Sequence, residues 1–173
     1  MIKRMLKEQA GFTLIEMLIV VILLGILAML IIPQISVSTA DANLNTLQSN
    51  LGSMRNVIEL YYHQHNATYP GRNDNAGAAT ADPATAATAF LEQLTQFTDI
   101  NGDVAVSKDA THIYGPYLKS ITLPTNPFNL LNNVLCDTVI TDVTARVSTG
   151  ATAWKFYTLT GVLMANDGAN DTL

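Results

Sequence analysis

Three hydrophobic patterns follow one another along the chain. From Phe12 to Ile32 the residues read FTLIEMLIVVILLGILAMLII, apolar on every face of a helix and interrupted by one acid, Glu16. A run of this length crosses the roughly 30 Å of a bilayer's hydrocarbon as a helix. Beyond Pro33, Leu44, Leu47, Leu51, Met54, Ile58 and Tyr61 recur at spacings of three and four, which predicts one apolar stripe on an amphipathic helix. That helix should end near His65-Asn66, before the turn signal Tyr69-Pro70-Gly71. Run together from Thr13 to His65, the two segments make a helix about 80 Å long at about 1.5 Å per residue. Pro33 lacks an N–H and disfavours helix in the residue before it, so a kink or opening is predicted there.

The third pattern is mixed. Residues Asn73 to Ala89 are rich in Ala, Thr, Asn, Asp and Gly and read as a connecting loop. Within it, Asp82-Pro83 places an acid at an N-cap and proline at the first helical position. Phe90, Leu91, Leu94 and Phe97 then predict a short helix, and a turn follows over Asp99 to Asp103. Tyr114-Gly115-Pro116-Tyr117, Leu123-Pro124 and Asn126-Pro127 suit loops better than central strands. Val139, Thr141, Val143, Ala145 and Val147 alternate with Asp142, Thr144 and Arg146, the signature of a half-buried strand. Trp154 to Leu159 and Val162 to Ala165 read as two more strands around the turn Thr160-Gly161. The fold class is therefore α+β, with a long N-terminal helix packed on a small antiparallel sheet. The chain divides into a basic leader (1–11), a transmembrane helix (12–32), its amphipathic continuation (33–66), a connecting loop with a short helix (67–110) and the sheet of a globular head (111–173).

Charge sharpens this division. Only 13% of the 173 residues are charged, against about a quarter in ordinary soluble domains. Lys3, Arg4 and Lys7 crowd the start and should remain cytoplasmic, which sends the rest of the chain across the membrane. The net charge is −5, and an acidic exterior argues against nonspecific binding to nucleic-acid phosphates. The single cysteine, Cys136, allows no intramolecular disulfide and reads as a small buried hydrophobe.

Two ordinary explanations of the apolar run are a secretory signal peptide and a signal anchor. The run is longer than a signal-peptide core, and no small-x-small cleavage site follows it. Glu16 fits neither, because a carboxylate inside a spanning helix is costly and marks a function with a neutralising partner. The segment itself holds no His, Lys or Arg, so the partner must come from elsewhere. The string Gly11-Phe12-Thr13-Leu14-Ile15-Glu16, with its basic leader, apolar run, Gly25 and Pro33, resembles the prepilin cleavage and methylation motif of type IV pilins and type II secretion pseudopilins. The resemblance implies cleavage by a membrane peptidase between Gly11 and Phe12 and N-methylation of Phe12. It implies an assembly role for Glu16 and Phe12, and a helix break between Gly25 and Pro33 in the filament. It also implies partners: identical and related pilin subunits, the prepilin peptidase and methylase, and the platform protein of an assembly machine. The localisation implied is the bacterial inner membrane before assembly and a periplasmic or extracellular filament afterwards. The head resembles pseudopilins more weakly, in its Gly-Pro-Tyr-Leu loop and Trp-containing hairpin. Pilins of this family often close a C-terminal loop with a disulfide, which this chain lacks the cysteines to form.

Elsewhere the chain offers little chemistry. His63 and His65 point to different faces of a helix and read as a solvated helix end. Asp167 and Asp171, with Asn166 and Asn170, are oxygen donors of the kind calcium favours, but their spacing suits a polar tail better. There is no phosphate-cradling glycine loop, GxSxG or HExxH, and no enzyme is expected. A filament subunit is the main reading. A membrane-tethered binding module that never polymerises is the alternative, and a leucine at position 16 would separate the two.

Overall fold

The computed structural model describes residues 11–173, with the side chains of 30–38 left aside. The leader residues Lys3, Arg4 and Lys7 lie outside the described residues. Two compact units divide at Ala42/Asn43. Helix α1 runs from Leu14 to Gln64 and contributes to both.

In the first unit, residues 11–29 are all exposed, from Leu14 (88%) to Met29 (80%). Among the described residues, no helix is long and apolar enough to cross a membrane. The described apolar part, Leu14 to Met29, is only about 24 Å at about 1.5 Å per residue, short of the hydrocarbon thickness. In the single chain α1 is helix past Gly25 and Pro33, while the break expected between them is a property of the filament. Pro33 itself belongs to the residues whose side chains are not described. A Cβ added at Gly25 meets no described atom within 4 Å.

The second unit is the head. Leu47, Leu51, Met54, Ile58 and Tyr61 of α1 are buried, forming the stripe that the three-and-four spacing predicts. The helix stops where Asn66 (φ 53°) and Ala67 (φ 57°) turn left-handed and Ala67 N–H donates to Tyr62 O at 3.1 Å. Helix α2 (Pro83–Thr95) starts as predicted, with Asp82 accepting from Thr85 N–H at its N-cap. It turns Ala86, Ala89, Phe90, Gln93 and Leu94 inward. Strands β1 (Phe97–Thr98) and β2 (Val104–Ala105) pair antiparallel within the stretch expected to be only loop and helix.

The main sheet comprises β3 (Val134–Asp137), β4 (Trp154–Tyr157) and β5 (Leu163–Ala165), in the order β3-β4-β5. It is mixed rather than antiparallel as expected, because β3 runs parallel to β4 while β4 and β5 form an antiparallel hairpin. A parallel pair needs a long crossover, and residues 138–153 provide it. The strand predicted over 139–147 is that crossover, with Val139 (76%), Val143 (54%) and Val147 (62%) exposed. Its aspartates explain why. Asp137 Oδ1 accepts from Val139 and Ile140 N–H, and Asp142 Oδ1 from Thr144 N–H and hydroxyl. Such local bonds compete with a ladder. Val147 instead serves the sheet edge-on, accepting from Lys155 Nζ at 2.9 Å and donating its N–H to the Tyr157 hydroxyl at 2.9 Å. The core joins the α1 stripe to Phe90, Leu94, Trp154, Phe156 and Leu163, with Phe90 and Phe156 at 4.7 Å between ring centroids.

Candidate functional site

The residues singled out by the motif sit at the start of α1. Gly11, Phe12 and Thr13 precede the helix and are exposed, Phe12 at 80%. The Gly11–Phe12 bond therefore lies in non-helical, open chain, where peptidases act. Helix begins at Leu14, with Met17 N–H donating to Thr13 O at 3.3 Å.

Thr13 and Glu16 close this end on each other. Thr13 N–H and the Thr13 hydroxyl both donate to Glu16 Oε2 at 2.7 Å, and Glu16 N–H donates to Thr13 Oγ1 at 3.3 Å. This is a capping box: the N-cap hydroxyl meets the N3 amide, and the N3 acid reaches back to the N-cap N–H. The signal Thr-x-x-Glu stands in the sequence, yet the reading of Glu16 as a buried, partnerless acid passed over it. In the isolated chain Glu16 has a partner within its own first turn. That partner is neutral, and among the described residues no cation is paired with the carboxylate. The side chains from Leu14 to Met29 around it are exposed, an apolar surface that no described residue covers.

The other candidates are not gathered into a site. Asp167 is committed to its own loop, its Oδ1 accepting from Ala169 and Asn170 N–H at 2.9 and 2.8 Å and its Oδ2 from Asn126 Nδ2 at 2.9 Å. Burial pushes its carboxyl up, but these hydrogen bonds outweigh burial and hold it below the usual carboxylate range. Among the described residues, no group of three or more His, Cys, Asp and Glu is placed to hold a metal ion. Cys136 is buried, and desolvation, with Asp137 adding to it, pushes its thiol up to about 12.

The histidine reading needs correction. His63 is exposed, but His65 is 1% exposed. Its ring stacks on Tyr61 at 3.6 Å and bonds Tyr61 O through Nδ1 (2.8 Å) and Thr98 Oγ1 through Nε2 (2.9 Å). Burial lowers its pKa. It is a packed member of the head because β1, unforeseen in the sequence, brings Thr98 over the end of α1. Sequence reasoning also missed Gln93, fully buried, and the close grouping of His112 with Asp103 and Asp109.

Comparison with known proteins bears on the N-terminal end. The model of the prokaryotic N-terminal methylation motif matches residues 6–32. The chain is 31% identical over 77 residues to the type II secretion system core protein G of Pseudomonas aeruginosa, covering 44% of this chain and 54% of that protein. It is 30% identical over 79 residues to the protein of the same name from Dickeya chrysanthemi, covering 46% and 51%. It is 37% identical over 73 residues to a fimbrial protein of Neisseria meningitidis, covering 42% of each. The chain thus spans about half the length of the curated relatives it matches. No solved structure matches it.

Proposed function

We propose that this chain is a structural, non-enzymatic subunit of a pilus or pseudopilus filament, a reading supported by its N-terminal methylation motif and its similarity to type II secretion core protein G and a fimbrial protein of the type IV pilin and pseudopilin superfamily. The observation that carries this is the carboxylate of Glu16, met by no cation among the described residues, in the first turn of an exposed apolar helix and four residues from the Gly11–Phe12 bond. Cleavage at that bond creates an α-amine on Phe12, cationic near neutral pH. Brought to Glu16 of a neighbouring copy, the amine satisfies two charges that are costly in an apolar setting. The pairing then fixes the register between copies.

In this proposal the apolar residues 12–32 hold the subunit in the inner membrane before assembly and pack against other copies afterwards. Lipid is already apolar, so the gain on transfer comes from close packing and charge pairing rather than from hydrophobic burial. The prepilin peptidase and methylase, the platform protein and related subunits are the partners this requires. The test is intact mass spectrometry of the protein from sheared extracellular filaments and from membranes. A chain beginning at methylated Phe12 in the sheared fraction supports a surface filament, and the same mass confined to membranes supports a pseudopilus. A chain still beginning at Met1 would overturn the proposal.

A further inference from the structure

We infer that His112 is a pH-dependent pin in the head: as an imidazolium it ties Asp109 on one side to Asp103 on the other and closes the loop between them, and on losing its proton it releases that loop. The grouping lies in the second unit, far along the sequence from the motif, and the inference does not depend on the filament reading.

The pin joins two fixed points. Asp103 closes the β1–β2 turn, its N–H donating to Asp99 Oδ1 at 2.9 Å and its carbonyl accepting from Asp99 N–H at 3.0 Å. At the far end Tyr114 returns to β1, exchanging backbone bonds of 3.0 and 3.1 Å with Thr98. Beyond β2, residues 106–113 form a strap between these points. His112 crosses it, with Nδ1 at 2.8 Å from Asp109 Oδ2 and Nε2 at 3.5 Å from Asp103 Oδ2. Asp109 is set for this by its other oxygen, which accepts from the N–H and hydroxyl of Thr111 and the N–H of His112.

The protonation state follows from the surroundings of Nε2. The His112 side chain is 14% exposed, and its Nε2 is buried with no hydrogen-bond partner. Nδ1 already needs a proton for the carboxylate of Asp109. A neutral ring would then aim the Nε2 lone pair at a second carboxylate, that of Asp103, 3.5 Å away. An imidazolium turns that repulsion into attraction. The ionisable groups that bear on the ring are Asp109 and Asp103, both acidic, and Asp109 is the stronger influence raising its affinity for the proton. A group whose folded-state pKa is raised contributes stability that is complete below the free-imidazole value of about 6.5 and is lost as pH rises through the folded value. The strap is therefore closed below the free-imidazole value and loosened as pH rises through the higher value of the folded state. It also carries Val106, 90% exposed, which walls a surface cavity of about 480 Å³ with Leu91, Thr95, Phe97, Pro116 and Ile121. Release of the pin reshapes that apolar surface.

The experiment is a pH titration of the histidine ring signals by NMR, on the full chain in detergent micelles. The chain has only three histidines, and His112→Gln assigns the signal. The inference expects His112 to titrate above the free-imidazole value and Asp103→Asn to lower its midpoint. It also expects exchange of the Val104 and Tyr114 amides, corrected for intrinsic rate, to quicken through that midpoint in the native protein and not in His112→Gln. A midpoint at or below that of free imidazole overturns the inference, and so does a midpoint that Asp103→Asn leaves unmoved. The native titration decides even if a variant fails to fold.

Discussion

Replacing Gln93 with leucine removes a polar side chain that holds three segments of the head together. Gln93 is fully buried on α2. Its Oε1 accepts from Gly71 N–H at 2.8 Å, and its Nε2 donates to the carbonyls of Gly102, Asn73 and Asp74 at 2.9 to 3.2 Å. It thus binds the 71–74 turn and the β1–β2 turn to the helix. Leucine fills a similar volume, so the cost is mainly that of the groups left behind. The Gly71 N–H and the carbonyls of Asn73 and Gly102 lose their partner, while Asp74 O still accepts from Gly77 N–H. At about 1–3 kcal/mol for a buried donor and less for a carbonyl with a second lone pair, the sum is roughly 3–5 kcal/mol. For a chain of this size that lowers Tm by roughly 10–15 °C. The single tryptophan, Trp154, is fully buried in the same core, so its fluorescence during heating reports the transition. A Tm within a degree or two of the native protein would refute the reasoning, showing that water or a shifted turn satisfies these groups as well as Gln93 does.

Three further outcomes follow from the head. Gly161→Ala should destabilise by about 2–5 kcal/mol in a denaturant titration, because φ is +73° there and a Cβ would lie 2.2 Å from the Tyr69 ring. Asp82→Ala should cost about 1 kcal/mol by loss of the α2 N-cap. The Thr85 hydroxyl and N–H lower the Asp82 pKa, so this contribution is present above the unfolded carboxylate value near 4 and is lost as pH falls through the folded value. Urea midpoints of the two proteins should therefore converge in acid. Cys136, with its thiol pushed up to about 12 by burial, should react with a thiol reagent at pH 8 more than about a hundredfold slower in the native protein than in urea. Comparable rates would show the thiol to be open.

Helical period and the α2 N-cap, each set within one element, are legible in the sequence. The stripe from Leu47 to Tyr61 and the Asp82-Pro83 start of α2 are set by helical period and by capping, and both are local. Some of the misses depend on what another part of the chain brings to the element, and others on local side-chain bonds that the hydrophobic pattern does not show. His65 reads as a helix end until β1 places Thr98 against it. Val139 to Val147 alternates like a strand, but Asp137 and Asp142 bend it into turns, and the register goes to Val134–Asp137, whose four residues show no clear alternation. The parallel pairing of β3 with β4 has no local signature at all. At the N-terminal end the motif was fully legible, while the Thr13 to Glu16 capping box went unread because attention to the charge of Glu16 hid its geometry.

That capping box leaves two explanations for why an acid stands at position 16, and two substitutions separate them. Glu16→Gln keeps an oxygen that can accept from Thr13 N–H, since glutamine serves in a capping box, and removes the charge. Thr13→Val removes the hydroxyl that bonds Glu16 and its amide, and keeps the charge. If the acid serves the helix end, Thr13→Val should be the more damaging change, costing about 0.5–2 kcal/mol and fraying the first turn. If the acid serves contact between copies, Glu16→Gln should abolish filaments although its helix end is intact. Thr13→Val should then assemble at near-native yield, because the carboxylate remains free to meet an incoming amine. Processing must be equal for the comparison to hold, so the mass of each variant is checked for a chain beginning at Phe12 before filament yield is scored by shearing. Equal loss in both variants, with processing intact, would mean that the cap itself positions the carboxylate for its neighbour. Loss in Thr13→Val alone would refute the charge-pairing argument, because the charge is the one thing that variant preserves.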